Sequence, residues 1–95
     1  MAVRKYVLWF PAVLGYKVVR ESPKTALITD GGQTQSPAHG WHPLKSIRVE
    51  KDGIWVDRAY ISAQPWYWEE RNKLKQRLAE IGQELKEQDE VDFRR

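Results

Sequence analysis

With 95 residues and no cysteine, the chain has room for one domain and none for disulfide staples, thiol catalysis or a cysteine-based metal centre. Five tryptophans, four tyrosines and two phenylalanines are a heavy aromatic load at this length, and since each ring buries roughly 150–250 Å², a few can supply much of a core. The formal charge of +3 is uneven, nine Lys/Arg against five acids over residues 1–60 and seven against eight beyond, so the N-terminal part is mildly basic and the rest balanced. A basic surface can attract phosphate, and ordinary solubility is the competing reading.

The opening MAVRKYVLWFPAVLGYKVV starts basic and turns apolar, but Pro11, Gly15, Tyr16 and Lys17 interrupt it and no small-residue cleavage site follows. Neither a signal peptide nor a membrane span is expected, and the absence of cysteine fits a cytoplasmic setting. RKYVLWF (4–10) is apolar on both faces from Tyr6 onward, with Tyr6, Leu8 and Phe10 alternating against Val7 and Trp9, which predicts a strand buried on both sides. GYKVVRE (15–21) and KTALITD (24–30) read as a hairpin across Ser22-Pro23, with Ala26 and Ile28 on one face and Leu27 and Thr29 on the other. Asp30-Gly31-Gly32 is a turn signal, and the polar QTQSPAHG (33–40) reads as a loop. In SIRVEKDGIWV (46–56) Asp52-Gly53 separates two alternating runs, a strong hairpin signal that sets Arg48, Glu50 and Trp55 opposite Ile47, Val49, Ile54 and Val56. About five strands with tight turns predict a mainly β (α+β) fold, a small SH3-like or OB-like barrel over residues 1–64.

DRAYISAQ (57–64) is ambiguous, with room for a turn of helix. From Pro65, well suited to a first helical position, an amphipathic helix is predicted over 65–88, followed by a frayed tail, 89–95. Glu69 and Glu70 suit the positive end of its dipole, and Glu69 and Lys73 form an i,i+4 pair. Leu74, Leu78, Ile81 and Leu85 make a stripe as narrow as a coiled-coil seam. It suits packing on the barrel or pairing with a second copy, and these four are the candidate partner-binding residues.

Chemistry-bearing motifs are sparse. His39 and His42 in HGWH fall short of the three or four ligands a stable metal site needs, so they read as loop residues. No metal, cofactor or catalytic residue is expected, since no nucleophile elbow, P-loop or zinc-protease motif occurs. QPWYWEERNKLKQR (64–77) instead places aromatics before cations, the mixture that stacks bases and binds phosphates. Two candidate nucleic-acid surfaces follow. One joins Arg4, Lys5, Lys45 and Arg48 to Trp41 and Trp55; the other joins Trp66, Trp68, Arg71 and Lys75. The competing reading makes the rings a clamp between helix and barrel. Of the two tryptophans near the hairpin, Trp41 reads as a structural anchor, while Trp55 needs either the helix or a partner to cover it.

KTALITDGG…GWHPLKSIRVEKDGIWVDRAYI resembles short phage- and prophage-type proteins that share a tryptophan-led W-x-P-K-S-x-I strand motif. The matches are Ala26, Asp30-Gly31, Trp41, Pro43, Ser46, Ile47 and Val56; His42, the Leu44-Lys45 pair and DRAYI depart from the pattern. The resemblance implies a small protein of a mobile element and brings no catalytic residue with it. Two functions are therefore expected as alternatives. One is non-catalytic accessory binding of single- or double-stranded nucleic acid, backbone-directed and weakly sequence-specific. The other is a protein-interaction module, a phage-type inhibitor or assembly adaptor, acting on a partner or as a homodimer through the helix stripe and exposed tryptophans.

Overall fold

A computed structural model describes residues 4–89. Two antiparallel sheets and one long helix enclose the core. The strands are β1 (Lys5–Pro11), β2 (Lys17–Glu21), β3 (Thr25–Thr29), β4 (Gly40–Pro43), β5 (Ile47–Glu50), β6 (Gly53–Asp57) and β7 (Glu87–Asp89); helix α1 is Arg58–Ser62 and α2 is Tyr67–Glu80. One sheet is ordered β5-β6-β1-β7 and the other β2-β3-β4. No strand of one sheet is hydrogen-bonded to a strand of the other, so the described strands do not form a closed barrel. The expectation of about five strands falls short by β4 and β7, which are four and three residues long. β4 lies in a stretch rich in Gly and Pro, and β7 is wholly polar, so neither carries an apolar alternation.

Register explains how so many rings are buried. Across β1 and β6, Val7 faces Val56 and Phe10 faces Ile54, so one extra residue lies on β1 between them. This bulge moves Phe10 onto the face of Val7 and Trp9, away from that of Tyr6 and Leu8. Strict alternation, which grouped Phe10 with Tyr6 and Leu8, is corrected on that point. The inner face joins Ala26 and Ile28 of β3, Ile47, Ile54 and Val56 of the β5–β6 hairpin, Ile61 of α1, and Tyr67, Leu74 and Leu78 of α2. Trp9 stacks on Tyr67 at 5.4 Å between centroids, tying the first strand to the long helix.

The helix is shorter than its stripe suggests. The Asp57 carboxylate accepts from the Ala59 amide and starts α1 in the ambiguous segment. α2 then runs Tyr67–Glu80, not 65–88, with Pro65 ahead of the N-cap Trp66. Gly82, at φ 71°, ends it: Gly82 N donates to Ala79 O and Gln83 N to Leu78 O, the paired bonds of a Schellman stop. Beyond it, Glu87–Asp89 pairs with Lys5–Val7 as β7, while most of the segment expected to fray lies outside the described residues. None of the described helices is long and apolar enough to cross a membrane.

Candidate functional site

Pairing of β2, β3 and β4 builds the most distinctive surface. On β3, Ala26 and Ile28 turn into the core, which leaves Thr25, Leu27 and Thr29 on the outer face. Their cross-strand partners share that face: Lys17 beside Thr29, Arg20 and Trp41 on either side of Leu27, and Pro43 beside Thr25. A second register shift, between Val18 and Arg20, leaves Val19 unpaired and 43% exposed. The strand residues that pair across this face therefore include two cations and no carboxylate. Glu21, the one acid of β2, pairs with core-facing Ala26 and not with the Leu27 row, and is itself exposed on this edge strand. Lys24 O accepts from Leu44 N at 2.9 Å, which gathers exposed Lys24 and Lys45 at the Pro43 end of the sheet.

Trp41 is thus no anchor: its indole is 49% exposed, and it is His42, one residue on, that enters the core. Trp55 moves the opposite way. The hairpin register sets Arg48 beside Trp55 and Ile47 beside Val56, as the alternation predicts. Yet Trp55 is only 2% exposed, packed with Tyr6 and Leu8 in a second small core, its indole N–H donating to Asp52 Oδ1 at 2.9 Å. The first surface expected from sequence therefore divides. Arg4, Lys5 and Arg48 belong with the four-stranded sheet, where the Arg48 guanidinium lies 5.5 Å from the centre of the Tyr6 ring. Trp41 and Lys45 belong with the three-stranded one. Lys17, Arg20 and Leu27 were missed as neighbours of Trp41, because β4 itself was unrecognised.

The second expected surface is partly present. Trp68 is 64% exposed, with the Arg71 guanidinium 5.6 Å from the centre of its ring, and Lys75 lies exposed one turn on. Trp66 is half-buried against Trp9, at 6.3 Å between centroids. The stripe proposed for partners is used within the chain: Leu74 and Leu78 are buried, and Leu85 packs against the core. Ile81 alone stays open, at 46%, because it caps the helix end.

A cleft of about 310 Å³ lies between the 30–39 loop and α2. Thr34 donates its amide and hydroxyl to buried Asp30, and the Arg77 Nη2 stands 3.8 Å from the same carboxylate. Arg77 Nη1 donates to the Tyr16 oxygen at 3.2 Å, and the Tyr16 hydroxyl shares a 3.0 Å bond with His39 Nε2. Ser36 donates to Glu70 Oε1 at 2.6 Å, and Lys73 bridges Glu70 and Glu69. Burial acts to raise the Asp30 carboxyl, but the two Thr34 bonds, with His39 and Arg77 nearby, outweigh it and hold it below the usual carboxylate range. The network latches the loop to the helix.

His42 sits deeper. Its Nε2 donates to Ala38 O at 2.6 Å, since a carbonyl can only accept, which leaves Nδ1 to accept from the Tyr60 hydroxyl at 2.8 Å. Burial depresses the imidazole below its ordinary value, against a raising contribution from the Ala38 carbonyl. Burial likewise raises the Tyr60 phenol. Among the described residues no three His, Cys, Asp or Glu side chains converge as metal ligands would.

A measurable pH dependence follows from His42. The unfolded chain takes a proton on this residue near pH 6.5, and the native chain resists it. The contribution to stability is therefore complete above that pH and is lost as pH falls from it toward the depressed native value. The unfolding free energy from urea titration should fall between pH 7 and pH 5, by at most about 1.4 kcal/mol per pH unit for one proton. His42→Gln should flatten that slope; an unchanged slope would remove His42 as its source.

No protein family, curated protein or solved structure matches this chain.

Proposed function

We propose that this protein binds nucleic acid without catalysing a reaction on it, through the outer face of the three-stranded sheet. The observation that carries the reading is the register, which sets Lys17, Arg20 and half-exposed Trp41 on one face whose paired strand residues include no carboxylate. Cations so placed neutralise phosphates and release counterions, a sequence-independent contribution. Backbone-directed, weakly specific binding is the reading this supports. Membership of a mobile element rests on the motif through Trp41, Pro43, Ser46 and Ile47. The bulges in β1 and β2 bend the sheets, and we read the pair as an open relative of SH3-sized or OB-sized barrels.

Binding of an oligonucleotide should be detectable at low salt and weaken as salt rises. In a Lys17→Ala/Arg20→Ala double variant the slope of log affinity against log salt should fall by about 1.4–1.8, roughly 0.7–0.9 per lost phosphate contact. Binding that this variant leaves unchanged would move the interface elsewhere. No binding at low salt would dismiss the reading.

A protein-interaction module is the alternative, and one observation favours it: Trp68, Val13 and Ile81 stand 64%, 60% and 46% exposed. Self-association through the leucine stripe is not carried forward, because Leu74 and Leu78 are consumed by the chain's own core.

A further inference from the structure

We infer that the outer face of the three-stranded sheet takes a single strand, with an unpaired base stacked on Trp41, and that duplex is not its ligand. The inference rests on the nucleic-acid reading and narrows it. Phosphate neutralisation alone would serve either form, so the distinguishing feature is the apolar row between the cations. Arg20, Leu27 and Trp41 run side by side across three strands. With strands about 4.7–4.9 Å apart, the guanidinium-bearing strand lies roughly 10 Å from the indole-bearing one. That span lets a nucleotide set its phosphate against Arg20 and Lys17 and lay its base over Leu27 onto Trp41. A paired base has both faces covered by its neighbours and offers the indole nothing to stack on.

Trp41 is available for this role. Among the described residues no ring or guanidinium stacks on its indole, unlike Trp68, which has Arg71 over it. Exposed Lys24 and Lys45, at the Pro43 end of the face, extend the track for the next phosphate. Stacking on an aromatic ring tolerates any base, so weak sequence preference and single-strand preference arise together.

The test compares four probes of equal length at low salt: a thymidine DNA strand, a uridine RNA strand, a DNA duplex and an abasic DNA strand. Affinity is measured for wild type, Trp41→Ala and Trp41→Phe, with thermal melts to confirm folding. Trp41→Ala should weaken either intact single strand about five- to 150-fold, the range for loss of one base–aromatic stack. It should change the abasic strand by less than about twofold, and Trp41→Phe should recover most of the loss. Tight binding of DNA, RNA or both single strands supports the inference equally. Duplex bound as tightly as single strand, or equal loss on the abasic strand, overturns it while leaving the nucleic-acid reading intact. No binding by any probe removes both.

Discussion

Leu78→Glu should abolish the folded state, and Ile81→Glu should leave it nearly untouched. The two residues share a stripe in the sequence, and a self-associating helix would make both of them dimer contacts. In the fold they have different surroundings: Leu78 is 3% exposed within the main core, whereas Ile81 is 46% exposed at the helix cap. Removing a buried leucine side chain costs about 2–5 kcal/mol before any charge is added. Desolvating a carboxylate adds several more, and the total rivals the roughly 5–15 kcal/mol that holds a small domain together. Circular dichroism with urea titration should find no cooperative transition for Leu78→Glu. The Ile81 variant should stay within about 1 kcal/mol of wild type. A folded Leu78→Glu protein would mean that the helix does not pack on its own sheets.

Gly53→Ala should be nearly as damaging, from the addition of one methyl group. Gly53 pairs with Glu50 at the hairpin end and with Pro11 at the end of β1, at φ 138°. A Cβ there would stand 2.7 Å from Ala12 N and 2.8 Å from Pro11 Cα, and closer still to Phe10 O. All three obstacles are backbone and cannot rotate away. Conformational strain of about 1–3 kcal/mol and overpacking of about 1–3 kcal/mol both apply, for a loss of roughly 2–6 kcal/mol. Gly31→Ala is the control: it also has positive φ, but among the described residues nothing lies within 4 Å of its added Cβ. It should lose only about 1 kcal/mol. Equal losses at the two positions would show that the close approach at Gly53 contributes nothing.

The same glycine shows how far local signals carry. Asp52-Gly53 announced the β5–β6 hairpin, and the pairing agrees, though the turn residues are Lys51 and Asp52 and Gly53 already belongs to β6. Ser22-Pro23 announced the other hairpin, and alternation sorted Ala26 and Ile28 from Leu27 and Thr29. What escaped was set by long-range partners. Trp55 was assigned its face correctly, but it is buried there, in a cluster with Tyr6 and Leu8 of β1, nearly fifty residues earlier. Trp41 misled in the reverse direction, since nothing in GWHP says that His42 takes the inner position against Ala26. The candidate binding face was legible only in fragments. Its tryptophan and Lys45 stood out, but Arg20 and Lys17 become their neighbours only through the β2–β3–β4 register.

One consequence of the strand order concerns assembly. β1 is interior to its sheet, and both its partners lie far along the chain, at Gly53–Asp57 and Glu87–Asp89. The β2–β3–β4 sheet closes through one tight turn and one loop of modest length, so its contacts cost little chain entropy. In the other sheet the β5–β6 hairpin is local, but β1 must close a loop of some forty residues to meet β6 and one of about eighty to meet β7. Locality therefore sets the β1 pairings apart from the β2–β3–β4 sheet and the β5–β6 hairpin. Of the two sheets, the one proposed to meet nucleic acid needs the smaller stretch of chain to form.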